Sequence, residues 1–131
     1  MNEAEIEAEI LKYKKLAIGR GIPELCADGL AKYIVIGHPV GDFLSAVIDD
    51  SLGRAFQHAD PTNTKIMRQY AAFMYWDAPG LCHALSYGGN KRRIAWIEQH
   101  GLTNPGKVSP NVKHGVKSTD DFKRKVSDIL K

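Results

Sequence analysis

The chain has 131 residues, 44% of them apolar and 25% charged, with a formal net charge of +3. That length carries one hydrophobic core and is short for two, and the balance is that of a globular domain, not of a disordered chain. No apolar run approaches the roughly 20 residues that span a bilayer. The acidic start MNEAEIEAEILKYKK also lacks the basic and apolar regions of a secretory signal, so a cytoplasmic protein without a membrane segment is expected.

From Asn2 to about Ile18, Ile6, Ile10, Tyr13 and Ala17 recur at three- and four-residue steps, flanked by Leu11 and Leu16, which predicts an amphipathic first helix. Its glutamates come first and its lysines later, matching the helix dipole. After GRGIPE, Pro23 is suited to the first position of a second helix, running to about Ile36 and burying Leu25, Cys26, Leu30, Tyr33 and Ile34. GHPVG ends it, because Pro39 disfavours the helical region for His38 and the glycines permit unusual backbone angles. A third helix then places Leu44, Val47, Ile48, Leu52, Ala55 and Phe56 on one continuous face, with Asp42 early enough to cap it or meet its dipole. Asp60 followed by Pro61 reads as an N-cap and first residue of a fourth helix, to about Trp76, which brings Ile66, Met67, Tyr70, Phe73 and Met74 to the same core.

DAPGLCHALSYGGN reads as irregular. KRRIAWIEQHG reads as a short fifth helix stopped by Gly101. LTNPGKVSPNVKHGVK has linker composition, and STDDFKRKVSDILK a capped terminal helix with Phe122, Val126, Ile129 and Leu130 on one side. The reading is all-α: a helical core domain over residues 1–101, orthogonal or antiparallel in packing, then a basic linker and C-terminal helix over residues 102–131. Phe43, Leu44, Ile48, Leu52, Phe56, Tyr70, Phe73 and Met74 are expected to be the most buried set. On that assignment Leu52→Ala or Phe56→Ala would cost about 2–5 kcal/mol.

Little of the chemistry points to catalysis. Asp42, Asp49 and Asp50 share one helix, but the period sets Asp49 and Asp50 away from Leu44, Ile48 and Leu52, on the solvent side. His38, His58, His83, His100 and His114 are scattered without HxxxH or HExxH spacing, so no metal site is expected, nor any cofactor. Cys26 and Cys82 are too few and too distant for a disulfide framework or a CxxC knuckle. Cys82 beside His83 has the types of a thiolate and its base, though adjacent residues rarely face each other. Charge is the more informative feature. Residues 1–90 hold 8 Lys/Arg against 11 Asp/Glu, while residues 91–131 hold 10 against 4. Lys91, Arg92 and Arg93 lie near Tyr87 and Trp96, and basic groups interleaved with aromatics suit phosphate contact and base stacking. The candidate binding residues are therefore Lys91, Arg92, Arg93 and Trp96, with Lys123, Arg124 and Lys125 of the terminal helix.

The central segment also resembles a family of small uncharacterised proteins encoded by bacteriophages and prophages, with a G-x-P-x-G-x-F-L-x-A-V element and a D-x-L-x-x-A-F-x-x-A-D-x-x-N element. The match falls on Gly37, Pro39, Gly41, Phe43, Leu44, Ala46, Val47, Leu52, Ala55, Phe56, Ala59, Asp60, Asn63, Tyr75, Ala78 and Pro79, within residues 33 to 97. The sequence DDSL departs from the asparagine–aspartate order of similar proteins. The resemblance implies a phage origin and brings no catalytic set. The leading expectation is a non-enzymatic phage accessory protein that binds a host protein or nucleoprotein complex, extending to the inhibition of a bacterial defence complex such as a CRISPR effector. A nucleic-acid-binding module with a basic C-terminal surface and a small enzyme with a Cys/His site are the alternatives.

Overall fold

The computed structural model describes residues 1–79 and 90–103. Every regular element among them is helical: α1 (Glu3–Gly19), α2 (Glu24–Ile36), α3 (Asp42–Ile48), α4 (Leu52–His58), α5 (Pro61–Lys65), α6 (Met67–Ala72), a π-helical turn (Phe73–Asp77), α7 (Asn90–Glu98) and a 3-10 turn (Gly101–Thr103). The all-α expectation holds. No helix among the described residues is long and apolar enough to cross a membrane. The predicted C-terminal helix lies outside the described residues.

The centre of the molecule is α2. Ala27, Leu30, Ala31 and all four residues from Tyr33 to Ile36 are buried, as expected of a helix apolar on most of its circumference. Beside it runs α1, which buries Ile6, Tyr13 and Ala17 and is capped by Asn2, whose side chain accepts from the Glu5 amide at 2.8 Å. Lys14 bridges the two helices through Glu24 at 3.3 Å and Asp28 at 3.8 Å. Pro23 is the N-cap of α2, one position before the predicted one. Leu25 is not buried: it is 87% exposed. It sits in the first turn of α2.

Two predicted helices are broken. The third ends at Ile48, where Asp49, Asp50 and Ser51 make a corner with Asp50 in the left-handed region at φ 56°, a conformation that Asp tolerates better than most residues. The one-face period of Leu44 to Phe56 therefore does not continue. Leu44 and Ile48 are buried as expected, whereas Leu52 is 67% exposed and Phe56 is also exposed. The alanine cost expected for those two positions is withdrawn, because a side chain in water leaves no cavity. The fourth breaks at Ile66, at φ −118°, and its last turn widens to a π-helix in which the Ala78 amide donates to the Phe73 carbonyl. Asp60 does cap α5 as predicted, accepting from the Asn63 amide at 2.7 Å with Pro61 behind it. Tyr70, Phe73 and Met74 are buried, and Phe43 packs edge-on against Tyr70 at 5.0 Å.

The end of α2 and the end of α7 meet backbone to backbone. Gly37 and Gly101 are both left-handed, at φ 71° and 60°. A Cβ on Gly37 would lie 2.9 Å from the Ile97 carbonyl oxygen, and one on Gly101 would lie 2.6 Å from that of Ile34. Gly101→Ala is expected to lower the unfolding free energy by about 2–4 kcal/mol, from left-handed strain plus overlap. Gly53→Ala in α4, with nothing within 4 Å of the added carbon, should instead stabilise by about 0.5–1 kcal/mol. Urea melts of the two variants check the contrast, and equal effects would place the glycine contact wrongly.

Candidate functional site

The basic and aromatic residues of α7 do not form the surface that their spacing suggested. Trp96 is buried, and its indole N–H donates to the carbonyls of Tyr33 at 3.0 Å and Ile34 at 3.1 Å. These belong to the last turn of α2, whose carbonyls have no partner within the helix. Arg93 turns inward and its Nε donates to Asp49 Oδ1 at 2.8 Å. Asp49 is itself a correction: its side chain is 1% exposed and is shared by Arg93 and, at 3.4 Å, by Arg54. The apolar period set Asp49 outward, but at the corner where α3 ends Arg93 and Arg54 close over it. Of the four predicted residues on α7, Lys91 alone is fully exposed, and Arg92 is half-buried. Lys123, Arg124, Lys125, Cys82, His83 and Tyr87 lie outside the described residues.

A different surface stands open. The break after Ile48 leaves a groove of about 510 Å³ between the α3–α4 corner on one side and α6 with the π turn on the other. Ala46, Ala55, Ala71 and Ala72 line it with small side chains, and Leu52, Met67 and Met74 with larger, flexible ones. Tyr75 and Trp76, which also line it, are 64% and 71% exposed and pack edge to face at 4.8 Å. The π turn produces this display. Phe73 and Met74 face inward, and Asp77 is held by Arg20 in a two-point pair, Nε to Oδ2 and a terminal nitrogen to Oδ1 at 3.1 Å. Pinned at both ends, the wide turn leaves Tyr75 and Trp76 outward. Two adjacent aromatics after an apolar pair were the available sequence signal, because four consecutive side chains cannot all face one core. Polar groups at the groove are few, chiefly Asp50 and Arg68, which sit on opposite walls; both are exposed and neither has an ion-pair partner among the described residues.

Comparison with protein-family models, with curated proteins and with solved structures gives no match for this chain. Its chemistry is therefore read from its own residues. Among the described residues there is no cluster of three His, Cys, Asp or Glu side chains able to hold a metal ion. A buried polar relay runs from Tyr70, whose hydroxyl donates to Asn63 Oδ1 at 2.7 Å, while Asn63 Nδ2 lies 3.9 Å from Cys26 Sγ. Burial pushes the Tyr70 hydroxyl far above its ordinary range, so it serves as a neutral donor and not as a base. The relay ties α6 to α5 and α2.

Two measurements follow. Arg93→Ala would leave the Asp49 carboxylate buried with only the longer Arg54 contact, so unfolding free energy should fall by about 3–5 kcal/mol. Adding Asp49→Asn should recover part of that loss, and strictly additive effects would refute a shared pair. His38 is shifted below its ordinary 6.5, chiefly by burial and further by Lys32, against the opposing pull of Asp28. A histidine whose value is lower folded than unfolded takes up a proton on unfolding. Its stabilisation is full above about pH 6.5 and is lost as pH falls through the folded value. Denaturation midpoints should decline from pH 7 to pH 5, less steeply in His38→Gln, and an unchanged slope in the variant would assign the decline elsewhere.

Proposed function

We propose that this protein is a non-enzymatic accessory protein that acts by binding a host protein, and that its contact surface is the groove between the α3–α4 corner and the π turn. The observation that carries the reading is the exposure of Tyr75 and Trp76 at an apolar groove. Large apolar groups left in water beside a concave face are the ordinary mark of an interaction surface, and Trp and Tyr are the side chains that most often dominate protein–protein affinity. A π turn adds to this, since such wide turns recur at functional positions. The resemblance of the central segment to phage-encoded proteins supplies a bacterial host as the setting. Blocking a defence complex such as a CRISPR effector is one form this binding takes in the proposal.

The nucleic-acid reading draws less support. Arg93 and Trp96 are occupied inside the fold, and among the described residues no cation but Arg68 lines the groove.

The test is affinity capture from bacterial lysate with the intact chain and with Trp76→Ser, a surface change expected to leave stability within about 0.5 kcal/mol. A stoichiometric host polypeptide should co-purify, withstand nuclease and persist when salt is raised from about 0.1 to about 0.5 M. Phosphate-driven binding would collapse over that range. The variant should lose at least about tenfold in affinity. Capture that disappears with nuclease, or that Trp76→Ser leaves intact, would overturn the assignment.

A further inference from the structure

Resting on the groove as the contact surface, we infer that its occupant is an amphipathic helix of the partner, carrying an acid on one flank and a base on the other. The first argument concerns hydrogen bonds. The groove is walled by short helices and by the corner that joins two of them, and every regular element among the described residues is helical. No strand edge there offers main-chain donors and acceptors. An extended peptide pressed into such a surface would bury unpaired backbone groups, at a cost its side chains must overcome. A helix arrives with its backbone already bonded and presents only side chains.

The second argument is shape. A volume of about 510 Å³ suits a short row of large apolar side chains, the set that positions i, i+3, i+4 and i+7 of a helix supply. Alanines in the lining admit a bulky anchor, and Met67 and Met74 adapt to its outline.

The third argument is charge. Asp50 on the corner wall and Arg68 on the α6 wall flank the groove without ion-pair partners among the described residues. A helix lying between them meets a carboxylate on one side and a guanidinium on the other, so opposite charges on its two flanks complement both walls. A uniformly basic or uniformly acidic helix would meet a like charge on one wall.

The experiment is selection from a random library of displayed peptides of about 16 residues, roughly 24 Å if helical. The whole protein serves as bait and Leu52→Asp as counter-bait. Leu52 is largely in water, so this variant should fold, and a thermal melt by circular dichroism confirms it. Enriched peptides should show apolar residues at i, i+3 or i+4, and i+7, with acid and base on opposite flanks. They should turn helical on binding and lose about tenfold or more in affinity for Leu52→Asp. Selection on Arg68→Glu should replace the acidic flank with a basic one. Enrichment of proline-rich or alternating sequences, of flanks that ignore Arg68→Glu, or of nothing that separates bait from counter-bait would each overturn the inference. If a host protein is still captured in a Trp76-dependent way, only the helical occupant falls. If that capture fails as well, the contact surface falls with it.

Discussion

A carboxylate withdrawn from water at the end of a helix organises this molecule. Asp49 follows directly on α3, where the helix dipole already disfavours an anion, and its side chain is almost wholly buried. Burial of an unpaired carboxylate costs several kcal/mol, so the position is tenable only while Arg93 and Arg54 face it. That requirement reaches well beyond the corner. It draws in α7, a short and mostly polar helix that would not persist alone. Three residues after Arg93, Trp96 lies close to the same face of α7 and delivers its indole N–H to the last carbonyls of α2. Two anchors on one helix set its direction as well as its place. The chain beyond it must then cross the end of α2 at Gly37, where only glycine on both sides lets the backbones approach.

The same corner creates the exposed surface. Had α3 continued, Leu52 and Phe56 would lie on the stripe of Leu44 and Ile48. Turning at Asp50 sends α4 off that line and removes both side chains from the core, while Ala55 keeps α4 in contact with it. Across the gap, the Arg20–Asp77 pair stops the widened turn from relaxing, with Phe73 and Met74 held below it. The groove therefore has two walls, each carrying an ion pair, and an apolar lining between them. Pre-set walls of this kind reduce the ordering cost of association.

How far the sequence revealed this follows from what kind of interaction decided each element. Helices set by local signals were legible: Asp60 as a cap, the GHPVG stop, the stripe of Ile6, Tyr13 and Ala17, and Gly101 as a terminator. The long faces were not. Periodicity assigns a side only while a helix continues, and at the break after Ile48 Asp49 pairs with a residue 44 positions away, which no local window contains. Leu52 and Phe56 were misplaced in that way, and Asp49 was misplaced beside them, whereas Asp50 is exposed as expected. The candidate site was misjudged for a related reason. A cluster of arginine and tryptophan looks alike in sequence whether it meets phosphate or a buried carboxylate and helix carbonyls, and only the third dimension separates the two.

That distinction bears on the basic half of the chain. Residues 91–131 carry the positive excess, yet one of their arginines, Arg93, neutralises a buried acid. A cation spent in this way contributes little to the outward field and releases no counterions from a polyanion, so formal charge overstates the pull on nucleic acid. Among the described residues that line the groove the formal charges balance, one acid against one base, and the rest of the lining is mostly apolar. Such a surface draws on desolvation more than on long-range attraction, which favours recognition by shape at ordinary salt over steering toward any negative surface. In physical terms the fold uses Arg93 and Arg54 on the buried acid beside α7 and leaves Tyr75 and Trp76 in water, and it is these two aromatics that have something to gain from a partner.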